Sequence, residues 1–156
     1  MNKDFLIFLA IAALLIAGTG GAIYMQSRGL RNNNPGNIRH SSSNWQGMSA
    51  DQSGDSEFVQ FDSPEYGIRA LTRLLRNYQT RHGLYTVRQI INRYAPPSEN
   101  ITGAYVDHVA RVAGVDPDAR IDINEKMVPV VNAIIKHENG INPYPANVIS
   151  TGIGLA

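Results

Sequence analysis

The residue best placed to do chemistry is Glu138. Ile123, Met127, Val130, Val131 and Ile134 recur at helical spacing, and Glu138 follows Ile134 by four on the same face. A carboxyl at the end of an apolar stripe is partly withdrawn from water, the setting in which it can keep a proton and act as a general acid. The same position also suits a solvated glutamate in a fraying last turn beside His137, and periodicity leaves both readings open.

The other carboxylates have simpler explanations. Glu65 falls in a first helical turn, where the positive helix end accounts for it, and it stands second to Glu138 as a catalytic candidate. Glu99 follows two prolines and reads as a loop or cap residue. Asp51, Asp55, Glu57 and Asp62 surround a polar loop, where each is either a second carboxylate that positions water or a solvated side chain. His40, His82, His108 and His137 show no metal-ligand spacing, so no metal site is expected. No Gly-x-Ser-x-Gly and no phosphate-cradling glycine loop occur, so neither a nucleophilic serine nor a nucleotide cofactor is expected. The chain has no cysteine, which excludes disulfides, thiolate nucleophiles and iron–sulfur clusters.

Three further groups can contact a polar ligand. Trp45, the only tryptophan, lies in the polar loop, where its ring can stack on a sugar or anchor the loop to the core. Tyr94 and Tyr105 flank Pro96-Pro97 and can point hydroxyls into a cleft or pack inside. Asn32–Asn37 offers several side-chain amides, Asn34 and Asn37 among them, although turn formation alone explains the run.

The elements that position these residues are mostly helical. Ser63-Pro64-Glu65 opens a helix that Gly83 stops, and Thr86 with Gln89 forms a capping box for a second, ended by Pro96-Pro97. A third runs from Thr102 to Ala113 before Gly114. A fourth is expected from Asp122 to Asn139, kinked at Pro129 and closed by Gly140. Short extended pieces at Asn37–His40 and Glu57–Phe61 predict a minor β element. Ser41–Ser56 between them reads as a mobile loop, and residues 141–156 as an irregular tail.

The chain has 156 residues and a formal net charge of +1, a balance that disfavours a dedicated nucleic-acid binder. Its apolar residues are unevenly spread. Phe5 to Met25 runs for 21 positions without a charge, about 31 Å of helix, which matches a bilayer's hydrocarbon core. The expectation is a single-pass transmembrane segment within residues 1–27 and one domain over residues 28–156. A signal peptide with a cleavage zone at Gly18–Ala22 is the competing reading. Arg28, Arg31 and Arg39 follow the run, and taken literally their charge puts the domain on the inner side of the membrane.

Arg31–Arg39, Trp45-Gln46-Gly47, Phe61–Leu71, Asn92–Pro97, Thr102–Tyr105 and Ile135–Gly140 together resemble a phage and prophage family of virion-associated peptidoglycan-degrading proteins, often described as phage structural proteins. More distantly, the blocks resemble the lysozyme-like glucosaminidase group. That group carries its catalytic glutamate before the first of these motifs, so Glu138-Asn139-Gly140 corresponds only in a circularly permuted order. The resemblance implies a small lysozyme-like helical domain that cleaves the glycan strand as a lytic transglycosylase, muramidase or glucosaminidase. In it Glu138 is the acid, Tyr94 and Tyr105 assist, and Asn34, Asn37 and Trp45 bind substrate. Bacterial peptidoglycan, a lipid membrane and other virion proteins are the implied partners, and a virion's internal membrane or the host inner membrane the implied location. A non-catalytic viral structural protein that binds glycan or packs against capsid and vertex proteins is the alternative. A host-lysis enzyme is a weaker one.

Overall fold

A computed structural model describes residues 26–96 and 102–156. Six helices occur among them: α1 (Arg28–Arg31), α2 (Pro64–His82), α3 (Val87–Tyr94), α4 (Thr102–Ala113), α5 (Met127–Asn139) and α6 (Ala146–Gly154). The start and stop signals act as their chemistry dictates. Ser63 is extended, Pro64 opens α2, and Gly83 ends it with φ 64°. Thr86 and Gln89 form the complete capping box of α3. Gly114 and Gly140 follow α4 and α5 in left-handed conformations.

Helix α2 is the spine, packed against α3, α5 and α6, while α4 lies along α5 and α3. Its Ile68, Leu71 and Leu75 are fully buried with Ile90 and Ile91 of α3, Val109 of α4 and Ile134 and Ile135 of α5. Burying each such side chain contributes about 1.5–3 kcal/mol, and this shared stripe holds the helices together. Gln79 adds a polar tie inside the core. Its Nε2 donates to Ile121 O at 2.9 Å and its Oε1 accepts from Ile123 N at 3.0 Å, fixing the segment that leads into α5.

The structure corrects the expected fold. No strand forms among the described residues; the two extended pieces meet in one isolated antiparallel bridge, Arg39 with Phe58, and a second bridge joins Met48 of the loop between them to Phe61. The reason is Asn34. Its Nδ2 donates to Ile38 O and Val59 O, both at 2.8 Å, and its Oδ1 accepts from Ile38 N, so a side chain takes up backbone groups that a ladder would use. The mixed lysozyme-like arrangement with a β element therefore gives way to helices joined by bridged loops. The expected transmembrane helix has no counterpart among the described residues, where no helix is long and apolar enough to cross a membrane. The Phe5–Met25 run that raised the expectation lies outside them.

Three local expectations also change. Residues 141–156 are not an irregular tail, because α6 forms after Pro145 and packs on α2. A Cβ on Gly152 would lie 2.6 Å from Ile68 Cβ, so the missing side chain is what lets the two helices approach. Helix α5 begins at Met127, which places Pro129 in its first turn, where a missing N–H removes no helical bond and no kink is needed. The Ser41–Ser56 loop is tied down at its end. Gln52 Nε2 donates to Ser49 O and Gln60 O at 2.8 Å, and Asp55 is buried.

Candidate functional site

Glu138 occupies the last turn of α5, at the half-buried end of the stripe that faces the core. Its carboxyl collects donors from two other segments. Tyr105 OH, from α4, donates to Oε1 at 2.9 Å, and Asn37 Nδ2, from the loop after α1, donates to Oε2 at 2.9 Å.

The loop reaches Glu138 because its backbone turns through left-handed conformations at Asn33 (φ 50°) and Asn37 (φ 49°), which asparagine tolerates better than most residues. Glycine makes room for it twice. A Cβ on Gly67 would stand 2.0 Å from Asn33 O, so α2 can carry the loop only with no side chain there. A Cβ on Gly29 would meet Asn37 Oδ1 and Asn139 Oδ1, each at 2.6 Å. Because the amide nitrogen of Asn37 faces the carboxylate, its Oδ1 is turned inward, buried without a hydrogen-bond partner among the described residues.

Asn139 closes the same corner. Its Nδ2 donates to Pro35 O and Ile135 O at 2.8 Å, and its Oδ1 accepts from Ser27 OH at 2.6 Å. Tyr94 OH donates to Gly36 O, and its ring meets Tyr105 edge-on with centroids 6.4 Å apart. The Tyr105 ring is stacked on His137 at 3.6 Å and 12°, and His137 lies 5.9 Å from His108. Burial, then the Glu138 charge, pushes both tyrosine hydroxyls well above their ordinary pKa, so both remain O–H donors across the neutral range.

The structure thus brings Glu138, Tyr105 and Asn37 together, with Tyr94 shaping the loop. Asn34 stands apart: it is wholly buried and its amide is spent on the backbone, so it orders the loop and has nothing to offer a ligand. Trp45 packs partly buried against the core, its indole N–H buried with no acceptor among the described residues. Glu65, in the first turn of α2, acts elsewhere. Tyr144 is pushed up to about 12 by burial first and the Glu65 charge second. Glu99 lies outside the described residues.

Asp55 was underrated by sequence reasoning. It is buried and accepts from Arg28 Nε and Nη2 at 2.5 Å, Asn32 Nδ2 at 2.7 Å, and the Glu57 and Phe58 amides at 3.0 Å. Burial pushes its pKa up, and these donors, Arg28 foremost, outweigh it and hold the carboxyl well below the usual aspartate range. The Asx-turn spacing from Asp55 to the Glu57 and Phe58 amides was the available signal. Among the described residues no three His, Cys, Asp or Glu side chains gather to hold a metal ion.

The class defined so far is a small helical domain with a carboxyl clamped where three chain segments meet. No family model matches the chain. It is 37% identical over 155 residues to Protein P5 of Pseudoalteromonas phage PM2, an alignment that covers 97% of this chain and 96% of that protein. The chain belongs to the family of that bacteriophage protein.

Proposed function

We propose that the protein works in the phage particle and cleaves the glycan strand of bacterial peptidoglycan at Glu138. Kinship with a phage protein along nearly the whole chain supports the virion role. One observation carries the chemical reading: Glu138, at the half-buried end of an apolar stripe, is oriented through both oxygens by Tyr105 and Asn37. A carboxyl so fixed can deliver a proton to a glycosidic oxygen without first being ordered. Tyr105 takes up negative charge on Glu138 as that proton leaves, because its own O–H persists. The route that suits a single oriented glutamate is a transglycosylase-type one, in which the sugar's own hydroxyl closes on the anomeric carbon. Peptidoglycan is then the substrate, and other virion proteins the partners that deliver the domain to it.

The test is digestion of purified cell walls followed by mass spectrometry of the fragments. Anhydro ends support the intramolecular route, and reducing muramic or glucosamine ends a hydrolytic one. Glu138→Gln should lower fragment release at least ~100-fold, the scale of one general acid. Unchanged release by this variant sinks the assignment.

A second reading is favoured by a different observation. The Tyr105 hydroxyl and the Asn37 and Asn139 amide nitrogens are all spent on internal contacts, as in a purely structural clamp. On that reading the protein is a non-catalytic component of the particle. Wall binding without fragment release selects it.

A further inference from the structure

Glu138 and His137 are neighbours in α5, and adjacent helical residues point about 100° apart, so neither can brace the other directly. They converge on a third group. Glu138 takes the hydroxyl of Tyr105 at 2.9 Å, and His137 covers the face of the same phenol at 3.6 Å and 12°. Tyr94 meets that phenol edge-on. The Tyr105 phenol is thus covered on one face by His137 and met at its edge by Tyr94. We propose that His137 is a positioning residue: while neutral it holds the Tyr105 hydroxyl on Glu138, and on taking up a proton it releases that hold.

The surroundings make the release a consequence of charge. His137 lies between Tyr105 and His108, which stand three residues apart on one face of α4. The face of a phenol attracts a cation, which favours charging. Against it stand the half-buried site and the second imidazole 5.9 Å away. His108 in turn feels Arg111 and Lys136, meets the Ala133 backbone, and has a buried Nε2 with no partner among the described residues. Glu138 reaches His137 through Tyr105, and no charged group of α1, α2 or α6 among the described residues acts on the His137 proton. The balance disfavours charge on either ring. Burial first, then His108, pulls His137 below the ordinary 6.5, and burial, Arg111 and Lys136 do the same to His108.

The sign follows. Between 6.5 and the lowered values the unfolded chain binds protons that the folded one refuses, so this corner is fully stable above 6.5 and weakens as pH falls. A charged His137 is driven to swing toward water and uncovers the phenol, leaving Asn37 as the described donor on Glu138. The consequence for catalysis, an acid limb in the pH profile of glycan cleavage, rests on the function proposed above; the positioning itself does not.

The decisive experiment is a pH titration of the full-length protein by NMR. It follows the His ring protons and the Glu138 carboxyl carbon, the latter assigned by its disappearance in Glu138→Gln. The wild type should show His137 titrating below 6.5, with a step in the Glu138 resonance at the same midpoint. His137→Phe keeps an aromatic ring on the phenol and cannot charge, so it should lose that step. His108→Gln should move the His137 midpoint and the Glu138 step upward together, and it decides the matter alone if His137→Phe does not fold. A step that survives in His137→Phe overturns the proposal. So does a His137 titration without a Glu138 response, or a midpoint indifferent to His108→Gln. Failure of the wild type to digest cell walls counts against the glycan-cleaving reading and leaves the carboxyl titration to judge the positioning. Where digestion occurs, His137→Phe should flatten the acid limb.

Discussion

Two acidic centres divide the labour of this small molecule. Asp55 is buried and meets a guanidinium through two of its nitrogens, an asparagine amide and two backbone N–H groups. Glu138 is half-buried and is held by one phenol and one amide drawn from distant parts of the chain. The first ties the end of the 41–56 loop to α1. The second sits where α4, α5 and the 33–37 loop meet. A carboxylate bonded to a full cation has its proton chemistry switched off, whereas the described donors on Glu138 are a phenol and an amide. Partners, more than burial, distinguish an anchor from a candidate acid.

The strongest way to break this contrast is to remove the anchor. Asp55→Ala strands the Asn32 amide and leaves Arg28 only its exposed pairing with Glu57, and should cost about 3 kcal/mol in urea unfolding, the low end for a buried pair because Arg28 keeps 30% of its side-chain exposure. A loss comparable to an ordinary surface change would mean that Asp55 anchors nothing. Its protonation should act in the same direction. The folded carboxyl ionises below the ordinary 3.8, so its contribution is complete above that pH and drains away as pH falls beneath it. Urea midpoints between pH 5 and 2 should therefore fall more steeply in the wild type than in Asp55→Asn.

Gly29→Ala tests the corner behind Glu138. Its Cβ would crowd Asn37 and Asn139 at 2.6 Å, and overpacking of this kind costs about 1–3 kcal/mol. The Glu138 carboxyl resonance should shift at the same time, since Asn37 is displaced. An unshifted resonance would detach Gly29 from the site. Glu138→Gln sharpens the contrast from the other side, because it should change stability by less than about 1 kcal/mol while removing cell-wall digestion. A stability loss as large as that of Asp55→Ala would make Glu138 a second anchor. Last and smallest, Arg88→Ala breaks an exposed pair with Asp118 and should leave the urea midpoint unmoved.

What could be read in advance depended on range. Ser63-Pro64, Gly83, the Thr86–Gln89 box, Gly114 and Gly140 act through groups a few residues away, and the helix ends fall where their chemistry requires. Helix α6 was missed because nothing local starts it beyond Pro145; its reason for existing is the α2 surface against Gly152 and Ile149. The extended pieces stop short of strands because Asn34, from outside them, uses the backbone groups they would share. Asp55 passed for a solvated loop residue since its counter-charge, Arg28, lies 27 positions earlier.

The candidate site divides in the same way. The sequence by itself determined that Glu138 ends an apolar helical stripe, since a period of 3.6 residues fixes which face a residue shares with its neighbours. Only the tertiary structure decided that Tyr105, 33 positions away, and Asn37, 101 positions away, would meet its two oxygens. It also decided that Asn34, in the same run as Asn37, would be sealed inside. Side-chain periodicity is a property of the backbone helix, whereas a partner across the molecule is set by how the helices pack.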